Sequence, residues 1–444
     1  MTTKQPQQFI ESFSYDVRLA PYDIQGSIAH AEMLGKTKIL PAASVAKIIK
    51  GLNAILKDLG RGKRIPSDED IHFAIEAELM RRIGPVGGAL HTGRSRNDQV
   101  ITDLHLYLKD HVLLILGELR RVQAGILMTA TRYQNAVMPG FTHMQHAQPV
   151  LFSHHILAYA WMLQRDRERF ADLFNRIDVL PLGSAALAGT SFPIDRNFVA
   201  KKLGFSRISE NSIDATASRD TAAEFISCCA IAMSNLSRMA EELVIWSTAE
   251  FGFIELTTEF TSGSSIMPQK RNPDVAEIVR GETGRVYGAL VAMLTILKGL
   301  PLSYNRDLQE DKPPVFDAVD TLMGCLSVVA PMMATMKVNT ETLRRWCEHG
   351  FLAATELADF LAERGVPFRE AHGIVRRIVR YCQMKRVKLD QLSLTELQEF
   401  HSKFDASALG LLSPEKVVRA KTSYGGTSPA SVAHQIAKLK KLIS

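Results

Sequence analysis

The sequence predicts an all-α protein built around a bundle of long helices, with smaller, mostly helical ends. Three observations carry this. Proline is absent from residues 86 to 138, and glycine and proline are both absent from 205 to 251, gaps wide enough for long helices. Inside the second gap Phe225, Cys229, Ala232, Leu236, Met239, Leu243 and Trp246 recur four and three residues apart. That spacing makes a seam nearly parallel to the helix axis, which packs against neighbouring long helices. Strand-like alternation is scarce. The chain has 444 residues, more than one compact core usually holds, so two or three domains are expected.

The elements follow in chain order. A long helix is expected after LHTGRSRNDQV (90–100), with Asn97 and Asp98 as its caps. A second is expected over 148–177, started by Pro149, and the third carries the seam. The fourth runs over 274–300. There Asn272 is placed as N-cap, Pro273 in the first turn and Asp274 beside the positive end of the dipole. Helices this long expose more apolar side than one chain readily covers, so self-association is expected.

Composition narrows the function. The net charge is +6 and the pI about 9.0, a mild excess that composition alone does not assign to a partner. The KLKKLIS end reads as a solvated helix terminus rather than a nucleic-acid patch. Five cysteines without CxxC spacing exclude a disulfide framework and a thiolate metal site. MTTKQPQQF lacks a signal-peptide pattern and no apolar run approaches membrane-spanning length. A cytoplasmic protein with neither nucleic-acid nor membrane partner is expected.

Four polar stretches lie between the helices. In 90–100, Arg94 and Arg96 sit beside a helix start, where guanidinium forks and free N–H groups suit carboxylates. In PGFTHMQHAQPV (139–150), Thr142 and His143 offer a hydroxyl and an imidazole, which titrates near neutral pH and serves as acid or base; His146 is the weaker candidate. TSGSSIMPQKRNPD (261–274) sets hydroxyl, ammonium and amide ahead of a helix N-terminus, an anion-binding arrangement. PLSYNRDLQEDKPPVF (301–316) adds Tyr304, Asn305, Arg306, Gln309 and Lys312 for a zwitterionic ligand. Taken singly, each also reads as a solvated, capped loop. No HExxH, Walker loop or GxGxxG is present, and GSS is not the GxSxG of an acyl-enzyme. What remains is acid–base chemistry without metal or cofactor on an anionic substrate.

GSSIMPQKRNPD is very similar to the signature loop of the fumarase/aspartase superfamily, whose members release fumarate from a succinyl unit. HTGRSRNDQV, GFTHMQHAQPV and YNRDLQEDK together resemble the argininosuccinate lyase family, and the likeness runs from SYDVRL through NSIDATASRD to SYGGTSP. The resemblance implies a fumarase/aspartase-like three-domain chain, a homotetramer with a central twenty-helix core, and active sites shared by three subunits. The corresponding division is an N-terminal domain at 1–95, a central bundle at 96–344 and a small C-terminal domain at 345–444. It implies reversible β-elimination of argininosuccinate to arginine and fumarate through an aci-carboxylate carbanion. Ser264 matches the base, Lys270 and Asn272 the residues that stabilise the carbanion, and His143 the proton donor to the leaving nitrogen. Substrate contacts carried over are Ser12, Arg96, Asn97, Thr142, Tyr304, Gln309 and Lys312, with Asp70 near the site. Ile266-Met267 is read as the apolar anchor of a loop that closes over substrate.

Some positions depart from the family. MTTKQPQQF stands where a Trp-Gly-Gly-Arg-Phe segment is usual, Ile10 replaces an asparagine, Ala89 a lysine, His146 an arginine and Arg271 a lysine. These bear on affinity and N-terminal order more than on chemistry. Two alternatives stand beside the main reading: another fumarate-releasing lyase of the superfamily, or a non-catalytic structural protein like the lens crystallins related to this family.

Overall fold

The computed structural model describes residues 6–444, so the MTTKQ start lies outside the described residues. Helices dominate. Those that position the site are α1 (Ala20–Lys36), α2 (Ala42–Leu59), α3 (Ile71–Ile83), α4 (Arg96–Arg132), α5 (Phe152–Ile177), α6 (Asp220–Trp246), α7 (Asp274–Leu297) and α8 (Lys312–Thr335). Near the C-terminus come α9 (Ala354–Glu363), α10 (Phe368–Lys385) and α11 (Pro429–Ile443). Among the described residues strand is confined to two-stranded ladders. Two of these matter: β1 (Val137–Thr142) with β2 (Gln145–Leu151), and β3 (Ser262–Gly263) with β4 (Arg271–Asn272).

The chain divides into two compact units. The first takes residues up to Gly117, Asp166–Ser234 and Glu282–Gly324; the second takes Glu118–Arg165, Asn235–Gly281 and Cys325–Ser444. Every residue of the expected α6 seam, from Phe225 to Trp246, is buried. In the first unit Phe170 meets Phe225 edge-on at 6.0 Å and Tyr107 meets Phe316 at 4.9 Å. In the second, Phe152 packs on Trp246 at 6.0 Å and the Thr129 hydroxyl donates to the Met333 carbonyl at 2.6 Å. A methyl group on Gly125 would come within 2.5 Å of the Ala330 carbonyl, so only glycine lets α4 and α8 approach this closely. A separate apolar core around Leu357, Phe360, Ile374, Ile378 and Phe404 holds α9 and α10 together.

Three expected helix starts shift. The cap of α4 is Ser95, whose Oγ accepts from Asn97 N at 3.3 Å, while Ser95 N donates to Asp98 Oδ1 at 2.9 Å. Asp98 also gathers Gly183 N and Ala185 N at 2.9 and 2.8 Å, so besides closing the cap onto Ser95 N it pins a distant turn. Pro149 does not start a helix; it lies in β2 opposite Pro139, and α5 begins at Phe152. Proline survives there because a two-stranded ladder has only edge strands, whose outward N–H groups need no partner strand. Asn272 is not an N-cap either. Its backbone pairs with Ser262 in β4, and the Pro273 carbonyl instead accepts the first helical bond, from Glu277 N at 3.1 Å.

Residues 306–335 form one helical stretch apolar enough to cross a membrane, with mean hydropathy 1.5, where the sequence predicts none. Asp317 and Asp320 interrupt it in sequence, and 61% of its apolar window is buried in the fold, as in a core helix.

A buried polar cluster ties α1, α3 and α4. His72 Nδ1 lies 2.7 Å from Asp23 and 3.2 Å from Asp103, all three fully buried, and buried Arg94 donates to Ser27 at 2.8 Å. Arg94 is therefore structural, not the substrate ligand its loop suggests. Arg94 and a charged His72 face Asp23 and Asp103, and burial together with Asp23 pushes the Asp103 carboxyl up to about 7. Burial opposes the imidazolium, yet Asp103 and Asp23 raise the His72 pKa to about 10. A raised histidine stabilises fully below its unfolded pKa and loses that contribution as pH rises through the folded value. The fold is thus expected to weaken between neutral pH and about 10. Thermal unfolding at both ends of that window checks this: His72→Gln should flatten the wild-type slope, and an unchanged slope rejects the assignment.

Candidate active site

The site residues fall into two groups, one in each unit. In the second unit the 261–274 stretch is a hairpin rather than an open loop. Its stem pairs Ser262 with Asn272 and Gly263 with Arg271, which leaves Ser264 and Lys270 as the first residues beyond the paired stem on either side. Pro268 and Gln269 form the turn, closed by Lys270 N donating to Met267 O at 3.0 Å. Ser264 Oγ accepts from Met267 N at 3.0 Å and Ile266 N at 3.3 Å. Two amide donors on one hydroxyl oxygen favour its deprotonated form. Lys270 is exposed and Asn272 half-buried. Ile266 is 82% exposed, so the apolar pair is uncovered.

Thr142 and His143 sit at the tip of the β1–β2 hairpin, where Thr142 pairs with Gln145 across a two-residue turn. His143 and Met144 both take positive φ, 53° and 56°. Such a turn usually carries Asn-Gly, and His-Met gives no such signal, so the sequence offers little warning of it. Holding a bulky pair in the left-handed region costs energy that the hairpin must supply. It presents the imidazole to solvent at a fixed place. The hairpin is anchored by His146, whose ring packs against Phe141 at 5.1 Å and Trp346 at 5.6 Å. His146 is thus part of an aromatic cluster; burial, then His349, lowers its pKa.

The first unit assembles Ser12, Asp70, Arg96, Asn97, Tyr304, Gln309 and Lys312. Ser12 is buried; its hydroxyl donates to Asp16 at 2.6 Å and its N–H to Glu69 O at 2.9 Å. Asp70 caps α3 through Phe73 N at 2.7 Å and stands 3.9 Å from Arg96 Nε. The Arg96 guanidinium lies over the Phe73 ring at 4.3 Å, bonded to Gln99 at 2.7 Å and Glu76 at 3.3 Å. Asn97 donates to the Ala186 carbonyl at 3.2 Å. Gln309 donates to the Ile10 carbonyl at 3.1 Å, beside Arg306 at 3.0 Å. The contact uses backbone, so isoleucine at position 10 leaves it intact. Tyr304 is largely covered, and burial raises its pKa.

Lys312 is not the free surface cation its loop suggests. Its Nζ lies 2.6 Å from Asp311, whose other oxygen accepts Arg219 Nε at 2.6 Å, and all three side chains are buried. Two cations share one carboxylate, leaving a local positive surplus. Asp16, Glu69, Asp70 and Glu76 add the opposite sign nearby in the chain fold. This mixture suits a substrate that carries both carboxylates and a cation.

Four residues escape sequence reasoning: Asp16, Glu76, Arg219 and Asp311. Arg219 is the penultimate residue of NSIDATASRD and Asp311 precedes Lys312, but no spacing reveals that they meet. Glu76 stands three residues beyond Phe73 on α3, and that helical spacing could have flagged a shared face. The His91 ring, 3.6 Å away, does most to hold the Glu76 carboxyl below its usual range, with Arg96 and Arg94 adding to it. Glu76→Gln should raise KM by roughly tenfold, the worth of one charge-assisted bond, while kcat changes little. Steady-state kinetics checks this; an unchanged KM rejects an orienting role for Glu76.

Comparison with known proteins gives a consistent picture. Residues 2–288 match the Lyase family model, and 351–419 match the family of the argininosuccinate lyase C-terminal region. The chain is 50% identical to argininosuccinate lyase of Symbiobacterium thermophilum over 99% of its length and 96% of the relative's. It is 51% identical to that of Sulfurihydrogenibium sp. over 99% and 96%. Among solved structures it is similar to EDDS lyase in complex with formate, at TM-score 0.88 and 30% identity, covering 100% of this chain and 91% of that one. A class II fumarase from Schistosoma mansoni, at TM-score 0.77, 15% identity and 90% coverage of each chain, shares the fold.

Proposed function

The chain belongs to the argininosuccinate lyase family of the fumarase/aspartase superfamily, and from that premise we propose how its residues cleave argininosuccinate to arginine and fumarate. It is a carbon–nitrogen lyase. Ser264 Oγ takes the proton from the succinyl carbon next to a carboxylate, and the electron pair is held as an aci-carboxylate. Lys270 and Asn272 bind that doubly charged group. Each lost donor in such a cradle typically costs about 10²–10³ in rate. Collapse of the carbanion forms the double bond of fumarate and breaks the bond to the guanidino nitrogen, which takes a proton from His143 and leaves as arginine. A positioned acid contributes roughly 10²–10⁴-fold. Ser12, Asp70, Arg96, Asn97, Thr142, Tyr304, Gln309 and Lys312 bind the substrate.

The observation that carries this reading is the β3–β4 hairpin, which puts Ser264 and Lys270 at one stem head with two amide donors on the serine oxygen. The substrate-binding groups other than Thr142 belong to the first unit of the chain and the catalytic groups to the second. This supports sites assembled from three subunits of a homotetramer. So does α7, which begins two residues after Asn272 and leaves Ile278, Tyr287, Val291 and Leu294 exposed, with open space beside Gly284 and Gly288. The three-domain division at 95/96 and 344/345 follows the same family plan. Five buried free cysteines suit the reducing cytoplasm.

Ultraviolet absorbance of released fumarate tests the assignment against adenylosuccinate, malate, aspartate and ethylenediamine disuccinate. Argininosuccinate should be the preferred substrate of a tetramer by light scattering. Preference for another member of the panel would move the chain to a sister activity. A folded tetramer releasing no fumarate would favour a crystallin-like role, against which the retained Ser264, Lys270, Asn272 and His143 speak.

A further inference from the structure

The second unit holds a cavity of about 940 Å³ that the proposed reaction does not use. That volume is within the range of small-ligand pockets. Gly140 and Phe141 form part of its wall, and they belong to the strand that ends in Thr142 and precedes His143. The lining carries one carboxylate, Glu242, and two cations, Arg238 and Lys438.

Glu242 is built in. His155 Nε2 and the Tyr159 hydroxyl donate to it at 2.6 and 2.7 Å, both on Oε2, so Oε1 is engaged by neither. Burial works against its charge, but His155, Tyr159 and the Arg238 charge hold the carboxyl below its ordinary pKa range. Trp161 adds an aromatic face, with Lys438 Nζ 5.6 Å from its ring centre. The indole N–H is fixed by Gln435 Oε1 at 3.2 Å, while Gln435 Nε2 lies 3.3 Å from His154 Nδ1. Ala430 and Ser431 bring the first turn of α11 into the lining; Pro429 has no N–H and Ser431 N is capped by Ser428 Oγ at 3.2 Å, which leaves the Ala430 N–H to favour an anion.

A fixed carboxylate beside aromatic faces recognises a planar cation. Two basic side chains and a helix start recognise a carboxylate. We propose that this cavity is a second, regulatory site for an amino acid ending in a guanidinium, with Glu242 taking the cation and Lys438, Arg238 and the α11 start taking the carboxylate. Arginine has this chemistry, so the inference rests on reading the protein as an arginine-releasing lyase. An occupant touching Phe141 stiffens or shifts the strand that carries His143 and thereby lowers turnover. Feedback from product to proton donor would then act through one strand.

The test keeps the two readings apart. Fumarate release without added arginine is measured first; its failure removes the activity and leaves the binding question to be answered by calorimetry. L-arginine titrated into the wild-type tetramer should then occupy two sites per chain, one catalytic and one regulatory. Arginine should lower kcat as well as compete with substrate. Glu242→Gln, nearly isosteric, should keep its rate without arginine within about twofold, lose the second site and show competition alone. Lys438→Ala, at an exposed position, should weaken the second site by about tenfold or more, the size of one charged hydrogen bond. Agmatine, which lacks the carboxylate, should bind there with a similar loss, and citrulline, which lacks the cation, should not bind. One arginine per chain, a second site untouched by both substitutions, or equal binding of citrulline would overturn the proposal.

Discussion

Ser264→Ala should lower the rate of fumarate release by about 10³-fold or more while substrate affinity stays within a few-fold, because a proton-abstracting group acts only in the transition state. The hairpin should survive. Its stem is held by backbone pairs, Ser262 with Asn272 and Gly263 with Arg271, and none of these uses the serine side chain. The freed amides of Ile266 and Met267 lie in an exposed turn where water replaces the lost oxygen. Alanine therefore removes the base and little else. Calorimetric titration of argininosuccinate into the variant, set against its turnover, separates binding from chemistry. A variant within tenfold of wild-type turnover, or one that no longer binds substrate, would break the base assignment.

Asp311→Ala should destabilise the protein by about 3–5 kcal/mol, the usual cost of stripping one partner from a buried ion pair. The site is unforgiving because Asp311 serves two cations. Arg219 and Lys312 both reach it at 2.6 Å, and both side chains are buried. Arg219 keeps only the carbonyls of Thr216 and Ser218, at 3.2 and 3.0 Å, after the carboxylate is gone. Two like charges then face each other in a low-dielectric pocket. Urea denaturation measures the loss, and Asp311→Ala combined with Lys312→Met should recover part of it by removing one of the stranded charges. A single variant within about 1 kcal/mol of wild type would show that the cluster is better solvated than its burial implies.

Legibility in the sequence depended on how local each interaction is. The α6 seam was readable because helical spacing alone decides which side chains share a face, and all seven seam residues are buried. The tip of the β1–β2 hairpin was not. His143 and Met144 adopt a turn that their residue types disfavour, and only the pairing of strands on either side forces it. Asn272 was misplaced for the same reason: its local chemistry is that of a cap, but strand pairing with Ser262 claims its backbone first.

The presence and order of four of the long helices, the apolar seam and the motifs in 139–150 and 261–274 were legible in the sequence by itself, while the helix starts and the Lys312–Thr335 helix were not. The legible features depend on residues a few positions apart, or on motifs carried intact along the chain. Tertiary structure alone decided the partners of charge. It buried Lys312 on Asp311 with Arg219, turned Arg94 inward toward Ser27, and set Glu76 against Arg96. Charges interact through space, between residues 92 positions apart in the Arg219–Asp311 pair and 302 apart in the Arg18–Asp320 pair. Which partner such a group meets within the fold is settled by burial and by the elements packed around it.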